Sequence, residues 1–243
     1  MEKNRFWNPV WVSPSLYLIQ ISWFLAVIAT IFLYVHFIHT PHRIEKNERS
    51  AIAMLRRIAA DEGCFKENRL SDVNGNRVGE YGFLSDLIRV RPLQLDPVTG
   101  EPAEQSMYCG VDCRDGILTC SGYHFLVYLP DEKGRGQVFV PEARLGRPID
   151  ASDASADEAG WCCYAWPEGY AMTGKRTFFI NQAGEIHATD QKESVAGKTP
   201  YSAKDRIPDP EAAFVPETDV RVMMSTVADG QPAKDRETWT RVN

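Results

Sequence analysis

Six cysteines, at Cys64, Cys109, Cys113, Cys120, Cys162 and Cys163, are the side chains best suited to chemistry in this 243-residue sequence. Three uses compete for them. An even number of cysteines, all beyond the first quarter of the chain, suits structural disulfides in an oxidising compartment. A zinc site would draw on Cys109-x3-Cys113-x6-Cys120 and the adjacent Cys162 and Cys163, but structural zinc favours tight Cys-x2-Cys or His-x3-His pairs and none is present. A thiol nucleophile needs a base, and Cys162 or Cys163 with His124 or His187 supplies the right types without a recognised local signature. Disulfides are therefore the expectation, with pairing left open. Side chains alternate along a strand, so Cys162 and Cys163 are expected on opposite faces with different partners.

A second constellation is Asp72-Val73-Asn74-Gly75-Asn76, which places three oxygen-bearing side chains at alternate positions with Glu80 nearby. Such spacing opens a calcium loop, so Asp72, Asn74, Asn76 and Glu80 are the candidate metal site. An EF-hand would have Gly where Arg77 stands and an acid where Phe83 stands. The plainer expectation is an Asx- and Gly-rich turn. His36, His39 and His42 recur every third residue; without a second apolar helix to oppose them, they read as boundary residues rather than haem ligands or a proton relay. No Gly-rich phosphate loop and no Gly-x-Ser-x-Gly elbow occurs, so neither catalysis nor an organic cofactor is expected.

Charge narrows the partners. The formal net charge is −6, and residues up to Arg43 hold three bases against one acid, so the remainder is more acidic still. That excludes nucleic-acid binding and a polybasic grip on anionic lipid, which need basic clusters.

The elements that position these residues begin with an apolar run at 16–38 inside a charge-free stretch. At about 1.5 Å per residue it makes roughly 35 Å of helix, enough to cross about 30 Å of hydrocarbon. A cleaved signal sequence has a shorter apolar region and a small-x-small site, which is absent. The run is read as an uncleaved anchor. Beyond Pro41, Ile44, Ile52, Leu55, Ile58 and Ala59 form an apolar stripe on a charged helix that Gly63 is expected to stop. One long helix kinked at Pro41 is the simplest picture.

A turn-rich loop at 64–79 and a short helix at 81–90 (YGFLSDLIRV) precede a loop over 91–116. The period then changes to that of strands: 117–129, 137–140 and 161–166, and a hairpin of 176–180 with 185–189 turning through 181–184. From Lys192 onward polar residues dominate and a loosely ordered tail is expected. The boundaries are 1–15, a short leading segment; 16–40, a transmembrane helix; 41–62, its amphipathic continuation; 63–191, an α+β domain; and 192–243, the tail.

An apolar helix running into an amphipathic one and then into antiparallel hairpins resembles the ground plan of type IV pilins and type II secretion pseudopilins. The likeness rests on YGFLSDL at 81–87, SGYHFLVYLP at 121–130, CCYAWPEGYAMTGKRTFF at 162–179 and INQAGEI at 180–186, collinear over roughly 16–191. It implies an α+β, pilin-like fold: a long N-terminal helix, transmembrane then amphipathic, packed on a small antiparallel sheet.

It further implies a single-pass protein of the bacterial inner membrane with its C-terminal domain outside the cytoplasm. The implied partners are the lipid bilayer and other envelope or secretion proteins, with self-association among the contacts. The basic residues Arg43, Lys46, Arg49, Arg56 and Arg57 behind the span argue for the opposite orientation, but that rule weakens for long translocated domains. One departure is specific. Pilins carry a leader ending in Gly before the apolar helix and a Glu at its fifth position, whereas here the first glycine is Gly63 and no acid lies between Glu2 and Glu45. The resemblance therefore speaks to fold and anchor, not to processing or filament assembly. The rival expectation is a thiol-dependent extracytoplasmic sensor or enzyme using Cys162 or Cys163.

Overall fold

The computed structural model describes residues 14–35, 39–90, 116–131, 135–137, 156–190, 200–216 and 226–242. The chain divides into two compact units, Met1–Arg43 and Ile44–Asn243.

The first helix, α1, spans Pro14–Tyr34. Its segment Tyr17–Tyr34 is long and apolar enough to cross a membrane and is buried nowhere. Two hydroxyls on it are spent internally: Ser22 Oγ donates to the Ile19 carbonyl at 2.8 Å and Thr30 Oγ1 to the Ala26 carbonyl at 2.8 Å. A helix placed in hydrocarbon would need this, since no water is there to take an unpaired O–H.

The second helix, α2, spans Thr40–Glu67, with Pro41 in its first turn, where a missing N–H costs nothing. Ile44, Glu48, Ala51, Leu55, Ile58, Glu62 and Phe65 are all buried, at alternating spacings of four and three that keep them on one face. Ile52 and Ala59 flank this stripe, half-buried. The expected stop at Gly63 is overturned: α2 runs through it to Glu67. Carrying Phe65 into the core, 5% exposed, outweighs the roughly 1 kcal/mol that a helical glycine costs.

The end itself is a Schellman cap. Arg69, at φ 52°, donates its N–H to the Lys66 carbonyl, and Leu70 donates to that of Phe65. The short helix α3 covers Leu84–Val90, where it was expected, and the Asp86 carboxylate reaches back to the Phe83 N–H at 3.1 Å.

Among the described residues, seven strands form an antiparallel sheet: β1 (Leu118–Cys120), β2 (Tyr123–Pro130), β3 (Gly136–Gln137), β4 (Cys162–Pro167), β5 (Arg176–Asn181), β6 (His187–Asp190) and β7 (Trp239–Arg241). The order is β1-β2-β4-β5-β6-β7, with β3 paired to the far end of β2. The stretch 117–129 is thus two strands rather than one. Ser121 and Gly122 both take positive φ, 49° and 76°, and make the two-residue turn whose twist suits a hairpin.

Period-two alternation sorts the sheet into two cores. Phe125, Val127, Cys163, Phe178 and Ile180 face α2 and α3 and pack with Leu55, Ile58 and Leu84. Leu126, Tyr128, Cys162, Tyr164, Trp166 and Phe179 face the other way and pack with Tyr201, Ala213, Phe214 and Trp239. The loosely ordered tail is thereby corrected over residues 200–216 and 226–242, which cover the second face and contribute β7. With both faces covered, every residue of β2 and β4 is buried.

Candidate functional site

The Asx-rich loop follows directly from the end of α2, and most of its side-chain oxygens accept N–H groups of its own backbone. An Asp72 carboxylate oxygen accepts the Arg77 N–H at 3.1 Å, the Asn74 side-chain oxygen that of Asn76 at 3.0 Å, and the Asn76 oxygen that of Val78 at 2.7 Å. Glu80, 3% exposed, accepts the Val73 N–H at 2.8 Å and the Ser71 hydroxyl. The Asn74 and Asn76 amides both donate to Glu158 Oε1 at 2.7 Å, while Lys66 Nζ donates to the Glu158 carbonyl at 2.6 Å. The four expected calcium ligands do lie in one loop. Their bonded oxygens accept N–H and O–H groups from within the loop, the arrangement of an Asx turn, and the two Asn amides tie it to Glu158, while Asp72 Oδ1 is buried without a hydrogen-bond partner. Among the described residues no group of three or more His, Cys, Asp or Glu side chains is placed to hold a metal ion.

The cysteines are dispersed. Cys109 and Cys113 lie outside the described residues. No disulfide joins any two of Cys64, Cys120, Cys162 and Cys163, and the last two point into opposite cores, as alternation required. Burial drives both thiols up, that of Cys163 further raised by Glu62 and that of Cys162 by its neighbour Cys163. A thiol so placed is a small hydrophobe, not a nucleophile.

The two histidines share the second face with Cys162 but not its vicinity. His124 stands opposite Trp166 in the register, four residues or about 13 Å along β4 from Cys162. His187 lies two strands away from β4, about 10 Å. Each histidine has another neighbour: Thr119 Oγ1 lies 2.8 Å from His124 Nδ1, and Asp229 Oδ1 lies 4.0 Å from His187 Nε2.

Sequence reasoning missed two acids on the buried stripe of α2. Glu48, 7% exposed, accepts the backbone N–H groups of Lys175 (3.1 Å) and Arg176 (3.3 Å) and pairs with the Arg176 guanidinium through two bonds of 2.8 Å. Glu62 is fully buried. One oxygen accepts the Gly82 N–H at 3.0 Å, and the other has no hydrogen-bond partner. Burial holds this carboxyl well above the usual carboxylate range, helped by Asp86, Asp61 and Asp157. The signal was available: Glu48 and Glu62 fall in step with Ile44, Leu55 and Ile58 at spacings of three and four.

A cleft of about 610 Å³ opens at the far end of β2, lined by Asp131, Arg135, Asp209, Glu211, Lys234 and Asp235 among others. Its bases are matched by its own acids, Arg135 with Asp131 at 2.9 Å and Lys234 with Glu211. Compared with known protein families, curated proteins and solved structures, the chain matches none.

Proposed function

We propose that the chain is a single-pass, membrane-tethered protein of the bacterial envelope with a pilin-like α+β head, acting by protein contact in a secretion- or pilus-related assembly. The observation that carries this reading is the sequence of elements: an apolar helix exposed throughout Tyr17–Tyr34, then an amphipathic helix whose buried stripe packs on an antiparallel sheet. Turnover of a substrate is not part of the reading: Cys162 and Cys163 are packed into opposite cores, away from His124 and His187, and Glu80 is turned onto the Val73 N–H. The pilin-like character is an inference from element order and from the motifs at 81–87, 121–130 and 162–186.

Orientation tests it. Cys64 is exposed on α2, so a membrane-impermeant maleimide applied to intact spheroplasts should label it, and Cys64→Ser should reduce the labelling. Labelling that requires lysis would put the head in the cytoplasm and sink the envelope assignment.

A further inference from the structure

We infer that the cleft at the far end of β2 is a small-molecule site for a basic amino acid: a ligand with one carboxylate and two cationic groups. The inference does not depend on the proposed anchor.

The cleft is built, not slack. Its volume of about 610 Å³ falls inside the range of about 300 to 1,000 Å³ that small-molecule sites occupy. The turn between β2 and β3 forms one wall: Asp131 donates its N–H to the Arg135 carbonyl at 2.7 Å and accepts the Arg135 N–H on its carboxylate at 2.8 Å. Residues 209–212 form another, where the Ala212 N–H closes onto the Asp209 carbonyl at 3.0 Å. That turn is pinned to the sheet, because the Pro208 and Pro210 carbonyls accept the hydroxyls of Tyr128 on β2 (2.7 Å) and Tyr164 on β4 (3.1 Å). Asp235 is fixed as firmly. Its carboxylate accepts the Tyr201 hydroxyl at 2.8 Å, the Glu237 N–H at 2.9 Å and the Trp239 indole N–H at 3.3 Å. A ligand there would meet charges already in position, which lowers the ordering cost of binding.

Both signs of charge line the cleft, and their arrangement selects the ligand. Four carboxylates face two bases. Arg135 pairs with Asp131 and Lys234 with Glu211, and Asp209 and Asp235 lie beyond these pairs. The field is felt nearby: burial, and then Asp235, drive the Tyr201 phenol up. Two negative charges in surplus call for two cationic groups. The bases add a requirement of their own. Arg135 spends Nε and Nη2 on Asp131, yet a guanidinium carries five N–H donors, and the Lys234 ammonium carries three with one on Glu211. Each base keeps N–H groups for a second carboxylate. A bare polyamine leaves those donors unused, and a dicarboxylate meets the surplus of its own sign. An amino acid with a basic side chain answers both.

Titration calorimetry on the full chain in non-ionic detergent, at fixed ionic strength, tests this with L-arginine, agmatine (no carboxylate) and Nα-acetyl-L-arginine (no ammonium). L-Arginine should bind saturably, and each analogue at least about threefold more weakly, as loss of one partly exposed charge contact implies. Arg135→Gln should erase the advantage of L-arginine over agmatine. Asp209→Asn should weaken L-arginine by about threefold, since Asp209 is exposed, whereas Glu67→Gln, an exposed acid on α2, should change nothing. Absence of saturable heat at roughly millimolar L-arginine overturns the site. Equal binding of L-arginine and agmatine to the parent protein overturns the amino-acid assignment. Equal losses in Asp209→Asn and Glu67→Gln would mean attraction by net charge alone, which overturns it too.

Discussion

Glu48 of α2 holds Arg176 of β5 twice over, through its guanidinium and through its backbone N–H. The same carboxylate holds the neighbouring Lys175 N–H, so one side chain fixes where the fifth strand begins against the helix. Arg176 in turn lies over the Phe178 ring at 5.1 Å, and its carbonyl accepts the Tyr123 hydroxyl at 2.9 Å.

Replacing Glu48 with Gln keeps the volume and removes the charge. Breaking a charge-assisted pair at a mostly buried site costs about 1.5 to 3 kcal/mol. Arg176 remains partly exposed, so the lower half of that range is expected. Chemical denaturation in detergent should show Glu48→Gln with an earlier midpoint and an unchanged slope; an unmoved midpoint would mean that the clamp contributes nothing.

Trp239 separates an ordered C-terminal layer from a loose tail. It is fully buried, packs edge-on against Tyr164 and Phe179 at 5.9 and 6.2 Å, and donates its indole N–H to Asp235 at 3.3 Å. Trp239→Ala is expected to cost about 3 to 5 kcal/mol, as truncating a fully buried aromatic does. A change under about 0.5 kcal/mol, typical of an exposed site, would contradict the second core.

The strands and the α2 stripe were legible because period-two and period-3.6 patterns are local. The C-terminal layer was not, because residues 200–216 and 226–242 carry few apolar side chains among many polar ones and are held by the sheet rather than by periodicity. A clue lay elsewhere. YHFLVYL and CCYAW do not alternate apolar with polar, and strands of that kind need cover on both faces. Tyr201, Phe214 and Trp239 were the residues available to provide it. The Ser121–Gly122 turn was hidden for a different reason: Ser is an uncommon occupant of left-handed backbone, so the run from 117 to 129 looked continuous.

Calcium is expected to leave the melting temperature unchanged. An ion at Asp72, Asn74 and Asn76 would draw their oxygens away from the N–H groups of Arg77, Asn76 and Val78, and Asn74 and Asn76 would lose the orientation that Glu158 gives them. Each forfeited bond costs about 0.5 to 1.5 kcal/mol. A calcium-dependent rise in melting temperature, abolished by Asp72→Asn, would restore the metal reading. Gly79 sharpens the picture of a packed turn: a Cβ there would sit 1.9 Å from the Lys66 carbonyl oxygen. Gly79→Ala should therefore destabilise by about 1 to 3 kcal/mol.

Glu62 sets a pH dependence of unusual sign for an acid. Its carboxyl is raised in the folded state, first by burial and then by Asp86, Asp61 and Asp157. Cys163 and Tyr81, whose own protons Glu62 makes harder to lose, also face it. Asp61 is balanced by Arg57 at 3.0 Å, whereas Glu62 has only the Gly82 N–H. Below the ordinary carboxyl pKa both folded and unfolded chains hold the proton, and the group is neutral in the balance. As pH climbs past that value the unfolded chain releases its proton while the folded chain keeps it, so stability falls until the folded carboxyl also ionises. Glu62→Gln retains an acceptor for Gly82 and has no proton to release. The variant should match the parent at acidic pH and exceed it increasingly through neutral pH, measured as denaturation midpoints across a pH series. Parallel curves for the two proteins would mean that Glu62 is ionised and compensated in the folded state.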